Sequence, residues 1–145
     1  KRLQALAALL PYYDIDPNKT RILGTGQWDA ADIGSEPALV GGWFAAPALK
    51  SRQTFINQYK EIYGTRPIRL ATLAYDATAL AAVLVKSDGS FDVSEITAPQ
   101  GFAGRDGIFR FNTEGYAERS LSIHQVRERS NRIIQGAPAY FQTND

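Results

Sequence analysis

One carboxylate in this chain stands where a carboxylate is expensive. Asp76 interrupts an apolar stretch in which Leu70, Leu73, Ala74, Ala77, Leu80, Ala81 and Leu84 recur at helical spacing. Burying an ionised carboxyl costs several kcal/mol unless it is paired or hydrogen-bonded. Its partner must therefore be a ligand, a basic side chain such as Arg69 or Arg110, or the backbone N–H groups of a neighbouring turn. A second place for chemistry is the run Ile22-Leu23-Gly24-Thr25-Gly26-Gln27-Trp28. It reads as a strand ending in a glycine turn, and the ends of strands are where open α/β sheets bind ligands. There Thr25 and Gln27 offer hydrogen-bonding groups and Trp28 an apolar wall. The competing reading is that Thr25 satisfies its own turn and Trp28 belongs to the core.

Other chemistries find no support. Cysteine is absent, which removes disulfides, thiolate catalysis and cysteine metal sites. His124 is the one histidine, with no serine, cysteine or acid cluster beside it, and reads as a surface residue of a strand. Asp14, Asp16 and Asn18 lack the glycine and the closing glutamate of a calcium loop. The glycines of Gly24-Thr25-Gly26 lack the third glycine and the downstream acid of a dinucleotide fingerprint. The remaining acids show no arrangement that separates a glycosidase pair from surface charge. The sequence supports no catalytic residues, no metal and no cofactor, and hence no enzyme.

The elements that must hold Asp76 and the Thr25 turn can be read from pattern. Leu3, Ala5, Leu6, Leu9 and Leu10 make a helical run that Pro11 stops, and Ile22-Leu23 is a short strand. Asp29 and Asp32 are possible caps for a short element after the turn. Residues 39–47 form an apolar strand interrupted by Gly41 and Gly42, and glycine there implies a bulge or a close backbone approach. Phe55, Ile56, Tyr59, Ile62 and Tyr63 lie on one face of a helix, with Lys50, Arg52, Gln53, Asn57, Lys60 and Glu61 outside and Gly64 as its stop. Pro67 suits the first turn of the next helix, which carries Asp76 and ends at Lys86. That helix is apolar almost all round, so it should be buried on several sides.

The stretch GFAGRDGIFRFNTEG, residues 101–115, then supplies glycine turns and alternating strand residues Phe109 and Phe111. A hairpin follows with arms at 119–127 and 132–134. The apolar phase slips between Ile123 and Val126, as at a β-bulge. Strand and helix alternate, so the class is α/β.

Composition bounds the rest. At 145 residues and 44% hydrophobic content the chain is one domain in size, with enough apolar material for a core. Sixteen basic against fifteen acidic residues leave a net charge of +1, no electrostatic case for nucleic acid or an anionic membrane. The densest basic cluster, Arg127, Arg129 and Arg132, reads as a solvated hairpin edge. The chain opens Lys1-Arg2-Leu3 inside a helical pattern and has no methionine. We therefore expect a portion of a longer protein, with neither a signal peptide nor a membrane span at this start.

Four segments in order carry a resemblance. They are residues 22–28, then Gly41-Gly42-Trp43-Phe44-Ala45-Ala46-Pro47, then FINQYKEIYGTRP (residues 55–67) leading into Leu73-Ala74-Tyr75-Asp76-Ala77, then residues 102–114. Together they resemble the C-terminal portion of type I periplasmic solute-binding proteins, the branched-chain amino-acid receptors of ABC transporters. The chain equally resembles the branch known as penicillin-binding-protein activators. Order and spacing carry the likeness, which covers nearly the whole chain.

The resemblance implies a three-layer α/β/α fold of two lobes, incomplete in this chain, with ligand held between the lobes by hinge closure. Residues 1–40 would be a remnant of the second lobe and 41–47 a hinge crossing strand. Residues 48–118 would belong to the first lobe, and 119–145 to the third crossing strand and a C-terminal hairpin. Gly41, Gly42, His124 and Gln125 would be hinge residues. Thr25, Gln27, Trp28, Tyr75 and Asp76 would contact ligand, Tyr75 resembling the aromatic that faces the cleft. Gly26 stands where amino-acid receptors of the family carry a carboxylate for the ligand ammonium, which counts against a free α-amino acid.

The implied role is binding of a small polar or amphipathic ligand, an amino acid or a related molecule, in the periplasm or cell envelope. The implied partner is an ABC permease. In the activator branch it is a peptidoglycan synthase, contacted by a lipoprotein. With part of the lobe absent, the helix around Tyr75 should leave apolar surface uncovered, and the 145-residue chain should self-associate.

Overall fold

The computed structural model describes residues 2–29, 32–86 and 88–141. Lys1 and the side chain of Lys50, both used in the sequence reading, lie outside the described residues. Four α-helices and seven strands fall among those described. In chain order they are α1 (Arg2–Ala7), β1 (Leu23–Gly24), β2 (Trp43–Ala46), α2 (Leu49–Tyr63), α3 (Ala71–Leu84), α4 (Val93–Ile96), β3 (Phe102–Gly104), β4 (Gly107–Phe111), β5 (Ala117–Arg119), β6 (Ser122–Arg127) and β7 (Ser130–Gln135). None of the described helices is long and apolar enough to cross a membrane.

The chain divides into two compact units. The first is Lys1–Ala46 with Ser122–Gly136, and the second is Pro47–Leu121 with Ala137–Asp145. The backbone therefore passes from one unit to the other at Ala46/Pro47, Leu121/Ser122 and Gly136/Ala137.

The first unit is built on a sheet of order β1-β2-β6-β7. β1 runs parallel to β2, and β2, β6 and β7 pair antiparallel. Trp43 lies opposite Gln125 and Phe44 opposite His124. Pairing extends beyond β2, since the Gly41 N–H donates to the Val126 carbonyl (2.9 Å) and the Val126 N–H to that of Gly42 (2.8 Å). The strand expected over 39–47 is thus shorter. Pro37–Leu39 forms a 3-10 turn, and Gly41, at φ +88°, bends the chain before β2. Ala7, Trp28, Ile33, Ala38, Leu39, Phe44, Ala46 and Val126 form the core. α1 contributes Ala7 to it while Leu6 and Leu9 face solvent.

His124 requires a correction: it is not on the surface but completely buried, at 0% exposure. On β6 the inward positions are Ser122, His124 and Val126, so two polar residues occupy the buried phase. The imidazole stacks on Phe44, with ring centroids 5.1 Å apart and planes inclined by 20°. The register with β7 shifts between Ile123 and His124, inside the span where the apolar phase slips.

The second unit joins α2, α3 and α4 to an antiparallel sheet of order β3-β4-β5. α2 ends as its sequence demands. Gly64 adopts a left-handed φ of 70° and its N–H donates to the Lys60 carbonyl at 2.9 Å. α3 begins at Ala71, later than Pro67 suggests, with Leu70 as a cap that makes no side-chain bond. Its burial also differs from expectation. Thr72 and Asp76 are its buried residues, while Tyr75 and Val83 are exposed. Three short strands cover only the helix face that carries Thr72 and Asp76. At α4, Asp92 accepts the Ser94 N–H (2.8 Å) and hydroxyl (2.6 Å), and these bonds hold its carboxyl below the usual range.

The single strand expected at 119–127 is two, because the chain changes sheet between β5 and β6. Ser120 marks the change. Its N–H closes the ladder on the Ile108 carbonyl (2.9 Å), and its hydroxyl donates to that of Pro138 (2.6 Å).

Candidate functional site

Each unit presents one candidate. In the first, β1 ends at the 3-10 turn Gly26–Trp28. Thr25 caps that turn, its hydroxyl accepting the Gln27 N–H at 3.3 Å, so the capping role goes to Thr25. Asp32 precedes the later turn Ile33–Ser35 without a side-chain bond. The side chains of Thr25 and Gln27 remain exposed. Trp28 does not: at 6% exposure it is a core residue, 6.4 Å from Phe44 between ring centroids.

The indole is wedged against glycine backbone. A Cβ at Gly24 would collide with the ring, and one at Gly42 would approach it to 2.8 Å. Gly24→Ala should therefore cost about 2 kcal/mol through overpacking, measurable by urea denaturation followed by tryptophan fluorescence. Of the four residues assigned to a hinge, Gly42 and His124 are packed in this core, and Gln125 is half-buried in β6 opposite Trp43. Neither ring nitrogen of His124 has a hydrogen-bond partner among the described residues.

In the second unit, α3 presents Asp76 to the turn joining β3 and β4. Oδ1 accepts the backbone N–H of Arg105 at 2.8 Å, and Oδ2 lies 3.8 Å from Nη1 of Arg119. Of the possible partners for Asp76, the backbone of a turn is the one realised, and the basic partner is Arg119. Arg110 instead pairs with Glu118 at 2.8 Å. Arg119 lies over the Phe109 ring at 4.8 Å, which backs the ion pair with apolar surface. Gly104 is glycine for a reason of space, since a Cβ there would meet the Asp76 carboxylate.

One helical step from Asp76, Tyr75 meets the same turn from outside. The Arg105 guanidinium lies over its ring at 4.7 Å and donates from Nη2 to its hydroxyl at 2.9 Å. Phe55 of α2 packs edge-on against Tyr75 at 5.6 Å. Tyr75, Asp76 and Arg105 open on a cavity of about 570 Å³, whose other walls include Leu80, Val83, Phe102 and Phe109. The structure thus brings Tyr75 and Asp76 to one cavity, and places Thr25 and Gln27 on the turn of the other unit.

Arg105, Arg119 and Asp106 do not stand out in the sequence, being distant from α3 along the chain. Asp106 is buried beside Arg105, accepts the Thr72 hydroxyl at 2.7 Å and lies 3.7 Å from Nε of Arg52. The available signal was the run Gly104-Arg105-Asp106-Gly107, two charges between glycines at a strand turn. Among the described residues no group of three or more histidines, cysteines or acids could hold a metal ion.

No family model and no curated protein matches this chain. Solved structures do. The chain is similar to a putative branched-chain amino acid ABC transporter protein of Rhodospirillum rubrum, at 22% identity and TM-score 0.64, over 83% of this chain and 39% of that one. It is similar to the leucine-binding protein LivK of Thermotoga maritima, at 24% identity and TM-score 0.59, over 91% of this chain and 40% of that one. A third likeness is to an ABC transporter solute-binding protein of R. palustris in complex with benzoate. Here the identity is 18% and the TM-score 0.51, over 92% of this chain and 41% of that one. At such identities the likeness shows the fold. This is an α/β chain with part of a type I periplasmic-binding-protein fold, spanning about two fifths of the length of these structures.

Proposed function

We propose that this chain is part of an extracytoplasmic solute-binding protein of an ABC-type transporter, a receptor and not an enzyme. It takes up a small polar or amphipathic ligand and hands it to a permease in the cell envelope. The observation that carries the reading is the cavity of the second unit. Its apolar walls are met at one edge by the Tyr75 hydroxyl and the Arg105 guanidinium, the few convergent polar groups that a small-molecule site needs. The shared fold with proteins named for leucine and benzoate supports it.

In this reading Tyr75 contacts ligand and Asp76 holds the turn that presents Arg105. Thr25 and Gln27 stand exposed on the turn of the first unit. Gly41, at φ +88° in the segment that leads to the passage at Ala46/Pro47, keeps the hinge role in this reading.

Calorimetric titration of the full-length protein with amino acids, amides and small carboxylates tests the reading. Binding in at least one class is expected, weakened about tenfold by Tyr75→Ala. Silence in every class would favour the other role of this fold, a penicillin-binding-protein activator acting on a peptidoglycan synthase.

The exposed apolar side chains carry their own expectation. Tyr75 and Val83 of α3 and Leu70 just before it are exposed, as are Leu23 and Trp43 in the first unit. The 145-residue chain by itself should associate, with a scattering mass that rises with concentration. A constant monomer mass at high concentration would refute this.

A further inference from the structure

We infer that the cavity of the second unit is a site for a monocarboxylate with an apolar body, and that Arg105 is the group that receives the carboxylate. This deepens the receptor reading and rests on it.

Charge accounting leads there. The charged residues lining the cavity are Asp76 and Arg105. Asp76 is already balanced, by the Arg105 backbone N–H on one oxygen and the Arg119 guanidinium facing the other. Arg105 is not. The four ion pairs found among the described residues join Arg52 to Asp106, Lys86 to Asp92, Arg110 to Glu118 and Arg119 to Asp76. The Arg105 guanidinium has one hydrogen bond among those residues, from Nη2 to the Tyr75 hydroxyl. A guanidinium carries five N–H donors in a rigid fork, and most of this one is uncommitted.

Its plane is also held in place. Stacking over Tyr75 at 4.7 Å and the bond to the same ring fix a fork that would otherwise be lost to rotamer freedom. An uncommitted, pre-oriented guanidinium at the edge of apolar walls suits a carboxylate, which it can grip with two charge-assisted bonds. The walls at Ala79, Leu80, Val83 and Phe102 call for an aryl or branched alkyl body. Asp76 Oδ2 makes no hydrogen bond among the described residues but faces the Arg119 guanidinium at 3.8 Å, so an α-ammonium group would meet a carboxylate already neutralised and a second cation nearby. One guanidinium without an ion pair among the described residues matches one carboxylate.

The test is calorimetry on the full-length protein with two matched sets. They are 3-phenylpropanoate, 3-phenylpropanamide and phenylalanine, and 4-methylpentanoate, 4-methylpentanamide and leucine. In at least one set the acid should bind about tenfold or more tighter than its amide and its α-amino analogue. Arg105→Gln should abolish the preference for acid over amide. Because Asp76 is bonded to the Arg105 backbone, this variant should keep the wild-type circular dichroism and melting behaviour. Arg105→Lys, which keeps the charge without the fork, should fall between. Tyr75→Phe, which removes only the hydroxyl, should weaken the acid by a few fold.

An amide equal to its acid, an α-amino analogue that binds tighter, or a preference that survives Arg105→Gln would overturn the inference and leave the receptor reading standing. Silence from both sets, with binding elsewhere in the wider screen, would do the same. Silence in the wider screen as well would remove both.

Discussion

Replacing Phe44 by alanine will destabilise the first unit by about 4 kcal/mol. Phe44 is 2% exposed on β2, the strand held between parallel β1 and antiparallel β6. Its ring stacks on His124 and faces Trp28, so truncation opens a cavity lined by two aromatic groups that cannot both follow the missing ring. Partial collapse onto Ala would still leave His124 without its stacking partner. Phe44→Leu, closer in volume, should cost about half as much. Urea denaturation followed by tryptophan fluorescence measures this directly, since Trp28 and Trp43, the two tryptophans, both lie in the first unit. A loss below about 1 kcal/mol for Phe44→Ala would mean that this core is not packed as described.

The second large effect belongs to Asp76. Asp76→Ala should cost the second unit about 3 kcal/mol, because it removes an acceptor and a counter-charge at once. The Arg105 N–H loses its acceptor at 2.8 Å, and the Arg119 guanidinium loses its counter-charge while still packed on Phe109. Arg119 keeps some solvent contact, which holds the loss below that of a sealed pair. Asp76→Ala combined with Arg119→Met should recover part of the loss, since the second change removes the charge left behind. Amide hydrogen exchange in α3 and in the turn after β3 reads the effect in the right unit. If the single substitution leaves exchange unchanged, Asp76 is not the latch of this turn. If the double variant is as unstable as the sum of its parts, the two side chains are not coupled.

What the sequence disclosed depended on whether the signal was local. α2 was legible because its apolar face and its stop, Gly64, lie within one run, and the glycine's left-handed φ is the reason for its presence. Pro67 looks like an opening residue, but the neighbouring helix begins later. The true start at Ala71 follows a leucine that makes no capping bond and leaves no mark in the sequence. Hydrophobic alternation does not reveal the burial of His124, because β6 places serine and histidine on its buried face while Ile123 and Gln125 lie half-exposed.

The candidate site was half legible. Asp76 announced itself by its cost, and Tyr75 by resemblance. Their partners did not, because Arg105 and Arg119 come from the strand region roughly 30 and 40 residues further on, brought back by the β3–β5 sheet. Periodicity within a helix says nothing about which distant turn will meet it. The exposed stripe of α3 has the same lesson in reverse. Its composition indicated burial on several sides, but the described strands reach only one.

The most direct check on the account is to follow the amide and arginine side-chain NMR signals of the full-length protein while the acid that binds, 3-phenylpropanoate or 4-methylpentanoate, is added. The account predicts saturable shifts at Tyr75, at the amides of 101–105 and at the Arg105 Nε–H. Saturable binding that leaves those signals in place and moves others would contradict it.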